Sequence, residues 1–415
     1  MPPIRSAAIR SASRRNREPL RPAGQLGAKA VIAVLLSGCG ATETNPATDG
    51  DRPPHCALEP PAEFSATFSV IRAIMALPDG RLVVSDPQEN RVTLIDFPKG
   101  TRRQLGRVGE GPQEFRRPGG LYRGRGGEVL IFDQQLMRLL PVSPSGALED
   151  VVGLPVGGMA GDWSGRAPDP LSFDSLGHTY EALRNGGFTA PTSLLMRHRP
   201  GARPDTVTSL HRTVTRALQA STDGAGAYQD VIFSPEDAWT VAPDGRVAVA
   251  RAAPYHVEWI PVAGPTVTGP AITHRPVPIT SAEKELIASG AAGPRGRTTV
   301  SIGRAPPGGL PSSQSGAPSP IPVGELLFAK VKTPVNLREG RWPLLDEGGR
   351  LWVERSLPAG AKISVFDVFD RDGNLVDRIA LPDGSRLVGF DLHWIYAARI
   401  DADGLEHLQR LALPH

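Results

Sequence analysis

Two segments that lie 47 residues apart share one order of residue types. In each, a glycine (Gly80 or Gly127) precedes an apolar run, an aspartate follows six residues on (Asp86 or Asp133), and an arginine follows five residues later. A period of this size is typical of repeated supersecondary units, and glycine-opened β-runs at this spacing are typical of β-propeller blades. The pattern therefore predicts a ring of similar small sheets.

Short β-runs preceded by a turn recur along the rest of the chain. The turns lie at residues 78–80, 126–127, 176–177, 243–245, 348–349 and 393. Asp-Gly and Gly-Gly between short apolar runs are strong hairpin signals. Six such turns predict six blades, so we expect an all-β fold, a six-bladed β-propeller over residues 62–415.

Ring closure predicts the role of the N-terminal strand. The last segment of the chain offers only three candidate strands, at 387–390, 394–399 and 406–411. Residues 64–71 are free to supply the fourth strand, and an unpaired edge would favour aggregation. We therefore expect this N-terminal strand to close the last blade.

An insertion interrupts the pattern at residues 276–335. The capping-box sequence Thr280-Ser-Ala-Glu283 predicts a short helix over 284–288. Residues 290–323 are crowded with Gly, Pro and Ser, which predicts a disordered surface loop. We interpret this segment as a tolerated insertion between blades rather than as a functional lid.

The first 38 residues have the order of a secretory signal, with a basic region, a short apolar run and small residues before Cys39. Leu36-Ser-Gly-Cys39 resembles the lipobox of bacterial lipoproteins. The resemblance implies a lipid on Cys39 as the membrane attachment. With Gly40 rather than aspartate next, it implies an outer-membrane lipoprotein facing the periplasm or the cell surface. Residues 39–61 are rich in Thr, Pro, Asp and Ala and predict a flexible tether.

The charge of the chain argues against nucleic acid as a partner. Residues 1–38 carry seven basic residues and one acidic residue, so the +3 of the whole chain leaves −3 for the remainder. The basic footprint of a nucleic-acid binder is therefore absent from the expected mature part. We expect a monomer.

Residues 106–121, which read GRVGEGPQEFRRPGGL, are followed by the second of the two repeats. This stretch resembles an NHL-type repeat, which has a glycine-rich turn, Phe-x-x-Pro, an apolar strand ending in aspartate, and then arginine. The whole chain resembles the six-bladed β-propeller lipoproteins of bacteria. The resemblance implies the fold and leaves the function open, because function does not transfer with a fold.

The residue that ends the second strand of each blade is the best candidate for a ligand-binding rim. The candidates are Asp86, Asp133, Arg251, Arg355 and Arg399, with His256 five residues after Arg251. In one interpretation the arginines clamp a carboxylate or phosphate, since a guanidinium offers a bidentate fork. In the other, each aspartate accepts turn N–H bonds and pairs with the arginine five residues on, an interpretation that we favour for the two aspartates.

No catalytic constellation is evident. The nine histidines form no His-x-His or His-x3-His pair, no serine lies in Gly-x-Ser-x-Gly, and the asparagines that a calcium lactonase needs do not recur at one blade position. We expect no metal and no cofactor. The sequence favours a non-catalytic binding or scaffolding module for a protein or small anionic ligand. The alternative is a propeller hydrolase or lyase whose metal or acid/base site is assembled across blades at the central channel.

Overall fold

All six predicted turns join the first and second strands of small antiparallel sheets. In two of them, Gly80 and Gly245 have φ of +83° and +82°, the left-handed region that favours glycine. The computed structural model describes residues 54–56, 61–154, 171–184, 189–220, 226–289, 301–302, 326–335 and 342–414. No helix in these ranges is long and apolar enough to cross a membrane. The predicted all-β, six-bladed propeller is confirmed.

The first three blades each have four strands, numbered here from the channel outwards in chain order. Blade 1 consists of Ala73–Ala76, Leu82–Asp86, Arg91–Asp96 and Thr101–Leu105. Blade 2 consists of Pro118–Arg123, Val129–Asp133, Arg138–Val142 and Val152–Gly153. Blade 3 consists of Leu171–Phe173, Thr179–Arg184, Thr192–His198 and Asp205–His211. A parallel pair, Arg107–Val108 with Glu114–Phe115, and a 3-10 turn, Arg125–Gly127, complete this half.

The other three blades follow the same order. Blade 4 consists of Ala238–Val241, Val247–Ala252, Tyr255–Ile260 and Val267–Thr268. Blade 5 consists of Leu344–Leu345, Leu351–Glu354, Val365–Phe369 and Leu375–Ala380, with His55–Cys56 added in parallel at its outer edge. Blade 6 consists of Ser385–Phe390, Trp394–Ile400 and Glu406–Ala412, completed by Ala62–Phe68. His55–Cys56 thus pairs with blade 5 from within the stretch predicted as tether.

The strand Ala62–Phe68 closes the ring as expected. It runs antiparallel to Glu406–Ala412, with Ala62 opposite Arg410 and Phe68 opposite Glu406. Phe64 on this strand packs against Phe97 of blade 1, with ring centroids 5.6 Å apart. The closing strand and the last strand of the chain, Glu406–Ala412, therefore share one sheet.

In the described part of the propeller ring, six clusters of buried apolar side chains form the core, and each fills one interface between neighbouring blades. Between blades 1 and 2, for example, Val83 and Val92 are buried in one cluster with Ile131 and Val142. Burial of each such side chain stabilises the fold by roughly 1.5–3 kcal/mol. Because every blade contributes to two clusters, packing favours a closed ring over separate sheets.

Among the connections that the structure describes, two are enlarged, the one from blade 3 to blade 4 and the one from blade 4 to blade 5. The first contains the hairpin Thr215–Ala220 and Gly226–Asp230, to which Ser301–Ile302 of the second adds a strand. The second also contains Val277–Pro278 paired with Val331–Lys332, and the helix Ser281–Ala288. Thr280 caps the N-terminus of this helix as predicted, since its Oγ1 accepts a hydrogen bond from the Glu283 N–H. Apart from Ser301–Ile302, the predicted loop 290–323 lies outside the described residues.

The two enlarged connections pack on one another, and we call their described residues within 212–236 and 277–332 the cap. Ile232 from the first connection is buried with Ile287, Ala288 and Leu326 from the second. A backbone bridge also joins Ile232 to Phe328. The cap is therefore one packed unit, although the sequence predicted only its second half as an insertion.

Candidate functional site on the connection face

The topology separates two faces of the propeller. In every blade the second strand ends on the same face as the connection that enters the first strand, because neighbouring strands run antiparallel. We call this the connection face, and the opposite one, which carries the turns between first and second strands, the hairpin face. The cap and the five predicted strand-end residues belong to the connection face.

Asp86 and Asp133 each tie the end of the second strand to the connection that enters the same blade. Asp86 accepts hydrogen bonds from the N–H groups of Ser69 and Val70 in that connection, at 3.0 and 3.3 Å. It also accepts from two N–H groups of the turn that follows it, at 3.0 and 3.1 Å. The buried Asp133 repeats this arrangement with the N–H groups of Arg116 and Arg117, at 2.9 and 3.1 Å.

The arginines five residues on lie opposite these aspartates in the strand ladder but have other partners. Arg91 pairs with Glu89, with Nη2 2.7 Å from Oε2. Arg138 donates to three backbone carbonyls of the preceding connection, at 2.8, 3.0 and 2.8 Å. The geometry therefore fits the expectation that the two aspartates accept hydrogen bonds from turn N–H groups. The partners of the two arginines differ from the expected ones.

In blade 4 the residue at the strand end is an arginine, and the acid lies in the connection that enters the blade. Arg251 ends the second strand, and Asp237, fully buried in the connection, accepts from its Nη1 at 2.8 Å and from the Ala252 N–H at 3.0 Å. Arg251 also donates through Nε and Nη2 to Glu258 at 2.9 and 2.6 Å. Burial opposes the charge of Arg251, but the hydrogen bonds to Glu258 and Asp237 outweigh it and raise its pKa.

Two histidines complete this network. His256, which lies opposite Arg251 in the ladder, has Nε2 3.3 Å from Glu258 Oε1. His211, at the end of blade 3, has Nδ1 3.4 Å from Asp237 Oδ2 and leaves 63% of its side chain exposed. The two predicted residues Arg251 and His256 thus meet through Glu258, in a network that spans blades 3 and 4.

Arg355 lies at the seam between blades 4 and 5. Its Nη1 is 3.0 Å from Oδ2 of the fully buried Asp367, whose Oδ1 is 2.7 Å from Arg378 Nε. The Tyr255 hydroxyl of blade 4 donates to the same carboxylate at 2.9 Å. Burial, with the adjacent Asp367, raises the pKa of Tyr255, so this hydroxyl stays protonated and links the two blades.

Arg399 holds the strand that closes the ring. Its Nη2 is 3.0 Å from Glu63 Oε2, and His407 Nδ1 is 2.8 Å from Glu63 Oε1. His407 Nε2 is 2.8 Å from Asp401 Oδ2 in the adjoining turn. The hydrogen bond to Asp401 and the charge of Glu63 raise the pKa of His407.

The structure thus places the predicted residues in separate networks around one face, and each is engaged by neighbouring groups. Their role in ligand binding stays a prediction. Sequence reasoning missed the acids Asp237, Glu258, Asp367 and Glu63. Of these, only Glu258 carried a local signal, because the hairpin register predicts it beside Arg251.

The cap is fastened to the connection face by a buried lysine. Lys332 Nζ is 2.5 Å from Glu283 Oε1 of the cap helix and donates to the Leu357 carbonyl of blade 5 at 2.8 Å. Its ammonium group also lies 4.9 Å from the centroid of the Phe233 ring. The cap therefore has a defined position over blade 5.

An ion pair crosses the channel at the hairpin face. Arg123 of blade 2 donates through Nη2 to Glu347 of blade 5 at 2.5 Å and through Nη1 to the Ala76 carbonyl of blade 1 at 2.7 Å. Blades 2 and 5 stand opposite one another in a ring of six. The side chains of this pair therefore narrow the channel at the hairpin face.

In the described ranges, no three His, Cys, Asp or Glu side chains come together as a metal site.

No family model and no curated protein sequence matches the chain. Solved structures similar to it include a putative exported protein from Bacteroides fragilis, with 10% identity, a TM-score of 0.43, and coverage of 86% of this chain and 95% of that one.

Two further similar structures have named activities or ligands. Virginiamycin B lyase from Staphylococcus aureus is 9% identical with a TM-score of 0.37, covering 86% of this chain and 99% of that one. The calcium-binding protein regucalcin from Agrobacterium tumefaciens is 11% identical with a TM-score of 0.35, covering 84% and 93%. Scores this low support no argument about function, and the six-bladed fold rests on the sheet topology.

Proposed function

We propose that the chain is a non-catalytic binding module of the cell envelope that holds a protein or a small anionic ligand on its connection face. The observation that carries the proposal is the cap. Two connections separated in sequence are both enlarged on this one face, and they pack into a single unit instead of extending separately. Enlarged loops on a rigid scaffold are where binding residues concentrate.

The opposite face supports the same assignment. The Arg123–Glu347 ion pair narrows the channel at the hairpin face. The turns there are short and are tied to the neighbouring blade, as when Arg125 donates to the Leu176 carbonyl at 2.7 Å. Access from the connection face therefore costs no rearrangement of these contacts.

A paired substitution tests the face that binds. Leu286 is exposed on the cap helix, and Leu392 is exposed in a turn of the hairpin face. We expect Leu286→Asp to abolish capture of envelope proteins or retention of a carboxylate ligand, and Leu392→Asp to leave both unchanged. Melting temperatures of both variants equal to that of the wild type verify that the fold is intact. Loss of binding in Leu392→Asp alone would move the site to the hairpin face.

The lipid anchor is proposed on the sequence around Cys39. Expression in a diderm bacterium with labelled palmitate should label the wild-type chain and leave Cys39→Ser unlabelled. Fractionation should then recover the wild-type chain with the outer membrane and the variant in the periplasm. A labelled Cys39→Ser variant would remove the anchor from the proposal.

A second candidate function is acid–base catalysis, favoured by one observation. The exposed imidazole of His211 on blade 3 is backed by the buried carboxylate of Asp237 on blade 4. A histidine held in this way can act as a general base. A panel of lactones and esters tests it. Turnover that His211→Ala abolishes, with the fold unchanged, would replace the binding-only assignment by a propeller hydrolase or lyase.

A further inference from the structure

A groove on the flank of blade 1 is lined only by polar side chains. Arg91 and Thr93 come from the third strand, and Arg102 and Gln104 from the fourth. The groove encloses a volume of about 200 Å³. Arg91 begins the third strand opposite Asp86, so the groove reaches the connection face at blade 1, but it shares no residue with the cap and is distinct from the site proposed there.

The strand register explains why these four residues share one surface. Thr93 pairs with Gln104 and Ile95 with Arg102, and alternate residues of a strand project to the same side. Ile95 belongs to the apolar cluster that also contains Phe64 of the closing strand. The blade 1 groove is therefore on the side of blade 1 that faces blade 6, next to the seam that closes the ring.

The charge inside the groove is positive. Its lining contains two guanidinium groups, a hydroxyl and an amide, and no acid. The acid that the structure pairs with Arg91 is Glu89, at 2.7 Å. In the described part of the chain, Arg102 is exposed and has no acidic partner within salt-bridge distance.

We propose that the blade 1 groove binds a phosphate-type oxyanion. Arg91 and Arg102 would hold the anion from two sides, because the guanidinium fork matches phosphate oxygens bidentately. Thr93 and Gln104 supply neutral donors at the floor. The volume suits a single phosphate group better than a drug-sized ligand, whose pockets enclose roughly 300–1,000 Å³.

A free phosphate and the phosphodiester of an anionic lipid headgroup share this chemistry. Two measurements on the full chain distinguish them. The first is calorimetric titration with inorganic phosphate in a zwitterionic buffer. The second is flotation with phosphatidylcholine vesicles that contain or lack phosphatidylglycerol, using the Cys39→Ser background so that the lipid anchor contributes nothing.

The variants are Arg102→Gln and the double variant Arg91→Gln/Arg102→Gln. Loss of one charge-assisted contact should weaken binding about tenfold or more. Arg116→Gln is the matched control, because Arg116 is 44% exposed and pairs with Glu110 at 2.8 Å, whereas Arg91 is 43% exposed and pairs with Glu89 at 2.7 Å.

Phosphate binding that both groove variants weaken and the control retains would support a site for free phosphate. Vesicle binding that depends on phosphatidylglycerol and follows the same variants would support a lipid headgroup. If neither probe binds, or if Arg116→Gln weakens binding as much as Arg102→Gln does, the proposal is overturned. Arg102→Gln keeps the test decisive even if the double variant fails to fold, since the Arg102 side chain is exposed.

Discussion

Replacement of Arg251 by alanine separates the two interpretations of the strand-end arginines. The change removes a guanidinium that makes two contacts with Glu258, at 2.9 and 2.6 Å, and one with Asp237 at 2.8 Å. Asp237 is fully buried and would be left without its cation. Removal of one partner from a buried pair costs about 3–5 kcal/mol.

The lower end of that range applies here, because 14% of the Arg251 side chain is exposed and water can reach the vacated space. We therefore expect Arg251→Ala to lower the free energy of unfolding by about 3 kcal/mol, a fall in melting temperature on the order of 5 °C. Urea denaturation followed by tryptophan fluorescence measures the difference.

Arg246→Ala in the same blade is the control. Arg246 pairs with the half-exposed Asp244 at 2.7 Å, and its guanidinium carbon lies 5.5 Å from the Trp259 ring. Contacts of this kind contribute roughly 1 kcal/mol or less. Arg251→Ala could instead prove as stable as the wild type and lose affinity for anionic ligands. That result would contradict the buried-pair argument and favour the interpretation that Arg251 clamps a carboxylate or phosphate.

Three further outcomes are expected. Phe64→Ala should cost about 3–5 kcal/mol and raise amide exchange chiefly in the closing strand, whereas unchanged exchange there would contradict closure by this strand. His407→Asn should destabilise the protein more at acidic than at alkaline pH, because hydrogen bonding to Asp401 raises the pKa of His407. The stabilisation that protonated His407 contributes is fully present below the ordinary histidine pKa of about 6.5 and is lost as the pH rises through the raised value. A double-mutant cycle of Arg123→Gln and Glu347→Gln, measured by urea denaturation, should give a coupling free energy of about 0.5–1 kcal/mol. A coupling free energy of zero would contradict a stabilising ion pair across the channel.

The sequence was informative where a feature is local and repeated. A turn such as Pro78-Asp-Gly80 depends on a few adjacent residues, so its type and position can be read directly, and all six turns lie where they were expected. The closing strand followed from counting strands, because a blade with three strands leaves an open edge. Both predictions rest on backbone geometry that the residue types express directly.

The partners of the strand-end residues could not be predicted in the same way. Arg399 and Glu63 are 336 residues apart in sequence, and Arg123 and Glu347 are 224 apart. Their contact depends on closure of the ring and on which side chains then point across a seam. The first half of the cap was missed for a related reason, since a hairpin inserted between two blades has the same alternating pattern as a blade strand.

One requirement explains why the strand end carries aspartate in blades 1 and 2 and arginine in blade 4. Each of these three blades fastens the connection that enters it to the end of its second strand, because that connection brings N–H groups close to the core. In blades 1 and 2 the connection directs N–H groups at the strand end, and an aspartate accepts them.

In blade 4 the connection already brings its own buried acid, Asp237, so a second aspartate would place two like charges together, and an arginine stands there instead. In these three blades the charged strand-end residue is thus explained by construction of the ring, without reference to a ligand. Residues that select a ligand are then better sought where the blades differ from one another, in the cap and in the blade 1 groove. A ligand held by Arg251 would have to displace Asp237 or Glu258, and the stability of Arg251→Ala measures how strongly those acids resist.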